Sequence, residues 1–182
     1  MIKGLCLLVI LFATAEFWSQ TEKNLSFTES HYLFTKDSKV NLKSDDFSGS
    51  FDGVQGRVSI NDSLIVTGFD LVIDVNSLSL NMEGMAKHAK SSDFFDAANY
   101  PSITFFGNEV SSSDSVWVVS GTMRSKGKEL SKTIPFTYSF GKKGVLSIES
   151  TFTIKRSDFG IGEPDAVSDE VFIHTVMFAK KK

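Results

Sequence analysis

Apolar side chains fall at every second position through the clearest segments of this chain, a period that admits strands with one buried face and excludes helices there. Phe69, Leu71, Ile73 and Val75 share one face, with Asp70, Asp74 and Asn76 opposite and only Val72 interrupting the polar side. The same period sets Ile134, Phe136, Tyr138 and Phe140 against Pro135, Thr137 and Ser139. It sets Leu146, Ile148, Phe152 and Ile154 against Ser147, Glu149, Thr151, Thr153 and Lys155. Between these last two runs, Gly141-Lys142-Lys143-Gly144 has hairpin-loop composition, so the two strands are expected to pair antiparallel.

Other strands read less cleanly. Residues 115–121 (SVWVVSG) are apolar on both faces, which suits a central or covered strand, while residues 103–110 and 171–179 mix aromatic and polar side chains. Lys36-Asp37-Ser38 and Asn61-Asp62-Ser63 have turn chemistry. One region breaks the rhythm: residues 81–98 (NMEGMAKHAKSSDFFDAA) lack β-branched side chains, so a helical insertion is expected there, with Ser91 or Ser92 capping a second short turn before Tyr100-Pro101 ends it. Many strands, one insertion and 17 phenylalanines give an all-β fold, an antiparallel barrel or a sandwich. Closure is favoured because it removes exposed edges from long aromatic strands. A barrel of about eight strands either fills its lumen with side chains or holds one small ligand.

The 182 residues suit one domain after an N-terminal leader. Lys3, the apolar run at residues 4–12 and the cleavage-compatible Ala13-Thr14-Ala15 or Trp18-Ser19-Gln20 read as a signal peptide over residues 1–20, leaving a domain at 21–182. The apolar run falls short of the roughly 20 residues that span a bilayer. The expectation is export, to the periplasm or by secretion. Cys6, the sole cysteine, leaves with the leader, so the mature chain relies on packing rather than disulfides. A net charge of −3 with both signs interspersed gives no footprint for nucleic acid. Lys180, Lys181 and Lys182 offer at most a transient contact with anionic lipid head groups.

No catalytic constellation emerges, and the chain is read as a non-enzyme without metal or cofactor. The Asp-Phe-Gly at 158–160 lacks the other parts of a kinase site, and no serine sits in a Gly-x-Ser-x-Gly elbow. Instead, Arg156 and Asp158 are expected to tie a strand end, with Gly160 and Gly162 turning the chain before Pro164. His31, His88 and His174 are far apart in sequence and form no local ligand pair. Asp93 and Asp96, flanking Phe94 and Phe95, suit caps and turns.

Residues 51–110 resemble the YceI-like family: glycines at 49, 53 and 56, an alternating strand ending near Ser77, a polar helical stretch, then SDFFDAANYPSITF at 92–105. RSDFG at 156–160 and SDEV at 168–171, before a closing strand, resemble that family's C-terminal end, so the likeness spans roughly residues 25–180. It implies a lipocalin-like, extended antiparallel barrel of exported proteins associated with binding a polyisoprenoid or similar long amphiphile. The stretch Glu83 to Lys90 departs from the family's usual Arg-rich, His-Leu-containing run.

On that basis the expected lining of a lipid tunnel is Phe69, Leu71, Ile73, Val75, Phe94, Phe95, Ile134, Phe136, Tyr138, Leu146, Ile148, Phe152 and Ile154. Pattern alone favours a packed core of the same residues, and the resemblance favours the tunnel. The expected partner is a long-chain lipid or isoprenoid, bound without turnover; the oligomeric state, a dimer included, is left open. A filled barrel whose insertion around Met82 to Lys90 docks a partner is the alternative, and an enzyme acting on a sequestered lipid the weaker one.

Overall fold

In a computed structural model, the described residues are 29–82, 84–113 and 116–182, so the leader expected at 1–20 lies outside them. The chain forms eleven strands: β1 (Ser30–Phe34), β2 (Lys39–Lys43), β3 (Ser48–Phe51), β4 (Val54–Ile60), β5 (Val66–Asp74), β6 (Leu78–Leu80), β7 (Ser102–Ser113), β8 (Val116–Ser125), β9 (Lys128–Phe140), β10 (Leu146–Lys155) and β11 (Glu170–Lys181). Eight of them, in the order β1-β4-β5-β7-β8-β9-β10-β11, close into an antiparallel barrel through pairing of β1 with β11. The remaining three extend one end of the ring as β11-β2-β3-β6. The expected hairpin is present, with Leu146 opposite Phe140 and Ile148 opposite Tyr138.

The extension exists because three consecutive strands break at one level. β1 and β2 both pair with β11, at Ala179–Lys181 and Phe172–Val176 respectively, and residues 35–38 turn between them. At that break the Phe178 carbonyl still accepts the Thr35 N–H at 2.7 Å, but the Phe178 N–H is left without a backbone partner. The Ser38 side chain replaces the missing ladder: its hydroxyl donates to the Phe178 carbonyl at 3.1 Å and accepts from the Phe178 N–H at 3.0 Å. Ser38 is fully buried, which makes it a structural substitute for strand pairing. Likewise β3 and β4 part at Asp52-Gly53, and β5 and β6 part at a 3-10 turn, Val75–Ser77, started by the Asp74 carboxylate accepting the Asn76 N–H at 2.8 Å. Val75 therefore belongs to this turn and not to the strand in which its spacing had placed it.

Beyond Asp74 opposite Ser102, β5 loses β7 as a neighbour, and β6 follows β3 instead. Residues 81–101 cover the gap. The helix expected there is confined to one short element, α1 (Met85–Ala89), and the rest is a run of turns. The second short turn expected after Ser91 or Ser92 is present at residues 92–95, but it is begun by the Ser91 carbonyl, which accepts the N–H groups of Phe94 and Asp96, and not by a serine side-chain cap. At Gly56 a positive φ of 119° and the nearby Asp70 carbonyl leave no space for a side chain, so β4 can cross β5 closely only with glycine there.

Ser38→Ala removes the partner of a buried backbone N–H. Urea denaturation should show a loss of about 1–3 kcal/mol, whereas an exposed serine such as Ser63 should be nearly neutral to the same change.

Candidate functional site

The inward faces of the strands do not fill the barrel completely. An apolar void of about 190 Å³ runs inside it, walled by residues of the barrel, α1, the turns at 94–95 and the β10–β11 connection. Of the residues expected on such a wall, Phe69, Leu71, Ile73, Phe94, Phe95, Ile134, Phe136, Ile148, Phe152 and Ile154 border the void. Val75, Tyr138 and Leu146 do not. Val75 is buried in its turn; Leu146, fully buried opposite Ala179, and Tyr138 lie at the far end. There the Tyr138 hydroxyl donates to the Leu64 carbonyl at 3.2 Å, and its ring meets Phe136 and Phe140. These side chains plug the end opposite the mouth.

Strand spacing alone missed much of the wall. Val40 and Leu42 from β2, Phe51 from β3, Val119 and Met123 from β8, and Ile173 and Met177 from β11 complete it. On β11, Val171, Ile173, Thr175, Met177 and Ala179 alternate inward, but the outward Phe172, Val176 and Phe178 hide that period in the sequence.

The mouth is assembled from four segments: residues 44–47, 81–101, the β8–β9 turn at 126–127 and residues 156–169. Phe95 packs edge-on against Phe51 at 5.8 Å, and the His88 ring sits on Phe94 at 4.9 Å. Phe94 also reaches across to Gly162, whose φ of 71° and lack of a side chain let the two segments meet; a Cβ there would come within 2.6 Å of the Phe94 ring. Asp93 fastens the same contact through its carbonyl, which accepts the Gly162 N–H at 3.1 Å.

Arg156 organises the β10–β11 connection. Only 3% exposed, its guanidinium donates to the carbonyls of Ile161 (2.8 Å), Pro164 (2.7 Å), Val167 (2.5 Å) and Ser168 (3.3 Å). A planar fork with five donors suits such a ring of carbonyls, where a lysine would not. The loop is pinned outward as well. The Asp46 carboxylate accepts both the Ser168 hydroxyl and N–H at 2.6 Å, and the Asp169 carboxylate accepts the Ser157 N–H and hydroxyl at 2.9 and 2.8 Å. Asp158, expected with Arg156 to tie the strand end, pairs with Lys132 on β9 at 3.3 Å from the 3-10 turn Arg156–Phe159 that follows β10.

The remaining polar candidates stay apart. His31 meets Ser59 at 3.1 Å, His174 sits on β11 opposite Thr151, and only His88 borders the void. Among the described residues, no three His, Cys, Asp or Glu side chains gather as a metal site. Asp96 binds the Asn99 amide, as a turn-forming aspartate does.

A family model described as "YceI-like domain" matches residues 20–179. The chain belongs to the YceI-like family. Among solved structures, this YceI-like barrel is similar to BcnA of Burkholderia cenocepacia, with 26% identity and a TM-score of 0.72 over 79% of this chain and 96% of that one. It is similar in fold to a YceI protein of Campylobacter jejuni, at 21% identity and a TM-score of 0.65 over 74% and 85% of the two chains. A polyisoprenoid binding domain from Saccharophagus degradans, implicated in plant cell wall breakdown, shares the fold at 15% identity and a TM-score of 0.60 over 85% of this chain and all of that one. No curated protein matches the chain.

The hydrogen bonds from Ser168 hold the Asp46 carboxyl below its ordinary range, and those from Ser157 do the same for Asp169. A depressed folded-state pKa stabilises above the unfolded value and is lost as pH falls through the folded one. Acidification through and below the ordinary carboxylate range should therefore free the mouth loop first. Protection factors of the amides at residues 157–169, referred to the intrinsic exchange rate at each pH, should fall there while those of β10 are retained.

Proposed function

We propose that this YceI-like barrel carries a long apolar molecule, of the polyisoprenoid or long-chain lipid class, inside its lumen and leaves it chemically unchanged. The observation that carries this reading is the wall itself: apolar from Phe51 and Leu78 at the mouth to Ile148 and Met177 in the interior, with an unfilled void along it. The Saccharophagus degradans neighbour, a polyisoprenoid binding domain, supports the same class. Burial of each methylene contributes about 0.8 kcal/mol, so a chain of modest length gains enough to offset the freedom it loses.

The void sets how the ligand enters. A dry cavity of roughly 150 Å³ takes a group the size of benzene, so a space of about 190 Å³ receives only a short segment with the side chains as they stand. A longer chain needs Met85, Phe94 and Phe95 to move. These sit on the insertion, which is joined to the barrel by side-chain packing and a few bonds, such as the Lys90 ammonium to the Asn76 carbonyl at 2.7 Å. Met85 turns toward the void, which favours the insertion as a cover over the insertion as a docking surface.

The proposal includes export, supported by the leader-like residues 1–20. If the carrier meets a bilayer, its mouth does so. Lys180 and Lys181 pair with β1 at the opposite end, so ligand passage does not run through the terminal lysines.

Native mass spectrometry of the purified full chain, with solvent extraction of the same sample, tests the reading. An apolar ligand should accompany the wild type and be lost when Ile134→Trp fills the void. Overpacking of that kind costs about 1–3 kcal/mol, so Ile134→Val, which fills nothing, serves as the comparison and should retain ligand. Absence of any ligand from the wild type, with no uptake of added long-chain lipid, would overturn the proposal.

A further inference from the structure

The lumen wall is not uniformly apolar, and one of its polar groups is left incomplete. Thr175 lies on the inner face of β11 between Ile173 and Met177, opposite Ser150 on β10 and Val40 on β2. It is 4% exposed, it borders the void, and among the described residues its hydroxyl has no hydrogen-bond partner. Ser150 does not relieve it, because no hydrogen bond joins the two hydroxyls. The Ser150 hydroxyl is turned to the Pro135 carbonyl, to which it donates at 2.5 Å, bridging β9 and β10 where their pairing has ended at Thr137 and Glu149.

A buried hydroxyl without a partner destabilises the protein that carries it, and a valine would fill the same volume without that cost. Water is poorly placed to satisfy it: an ordered water needs two to four polar partners, and the strand register sets Val40, Ile148, Ile173 and Met177 beside Thr175, with Ser150 alone polar among its neighbours across the ladder. Thr175 also lies deep. It is four residues from Val171 at the level of the mouth, roughly 13 Å along the strand.

We propose that Thr175 is a specificity-determining residue that donates a hydrogen bond to a neutral oxygen of the ligand, a carbonyl, ether or hydroxyl, carried into the lumen by the apolar chain. This rests on the reading of the barrel as a carrier and narrows its ligand from hydrocarbon to oxygenated amphiphile. The oxygen is uncharged. A carboxylate or phosphate at that depth would lose its hydration among apolar side chains. The buried cation on the wall, Arg156, already engages carbonyls of its own loop. Ser125, also buried and unpartnered, lies on the wall at the mouth end of β8 and addresses a second position nearer the entrance.

The test is a cycle of two ligands and two proteins, using displacement of an uncharged fluorescent dye from the delipidated full chain. Octane and 2-octanone are the ligands; wild type and Thr175→Val are the proteins. Thr175→Val should weaken 2-octanone by about three- to tenfold and leave octane unchanged or tighter. Its ligand-free melting temperature should be unchanged or higher, because no hydrogen bond is lost. Equal effects on the two ligands, or a fall in ligand-free stability that reveals a structural partner for the hydroxyl, would overturn the inference and leave the carrier reading standing. Failure of both ligands to bind the wild type would overturn both.

Discussion

The parting of β6 from β7 is the constraint on which the rest of this barrel depends. A closed sheet satisfies every backbone group, whereas a sheet that opens at one end exposes edges and apolar side chains that must be covered. Here β5 keeps β7 only as far as Asp74 and Ser102, and the Asp74 carboxylate then turns the chain toward β3. The insertion at 81–101 is the cover. Its phenylalanines close over the lumen, and a hydrogen bond from the Gly162 N–H to the Asp93 carbonyl joins it to the facing loop. One end of the barrel is thus a packed plug of Tyr138, Phe140 and Leu146, while the other is a surface assembled from separate segments.

The two ends differ in how they are held. At the plug, strand pairing and aromatic contacts leave little that can move independently. At the mouth, the β10–β11 connection is held by the Arg156 guanidinium and the Asp169 carboxylate within it and by the Asp46 carboxylate outside it. Burying Arg156 without a carboxylate in contact is tolerable because four carbonyls share its donors, each bond strengthened by the charge. Loop, insertion and lumen are therefore coupled: what loosens residues 156–169 also loosens the support of Phe94. A carrier of apolar molecules needs this asymmetry, since a ligand must pass one end and be retained by the other.

Much of the barrel was legible from spacing, because an alternating strand has few alternatives once its apolar face is set. β5, β9 and β10 show this, and the likeness of residues 92–105 and 156–160 to a known family implied that they belong to a lipocalin-like antiparallel barrel. Depth was not legible. Period two tells which face a residue occupies, not how far along the barrel it lies, so Tyr138 and Leu146 shared a face with the wall yet belong to the plug. Val75 fell to a local competitor, the Asp74 side chain capturing the Asn76 N–H. The helix at 81–98 shrank to five residues because turn-forming Ser91, Asp93 and Asp96 outweighed the helix propensity around them. Arg156 was expected to tie a strand end, but neither its ring of carbonyls nor the role of Thr175 could be read from the sequence, since each matters through what surrounds it in space.

The central claim is that the ligand lies inside the barrel, and proton–proton contacts measured by NMR on the loaded, methyl-labelled protein test it most directly. Nuclear Overhauser contacts should join the ligand chain to the methyls of Ile134, Ile148, Ile173 and Met177, all on the lumen wall. Contacts confined to outward side chains such as Val72 and Val116, with those four methyls silent, would contradict it.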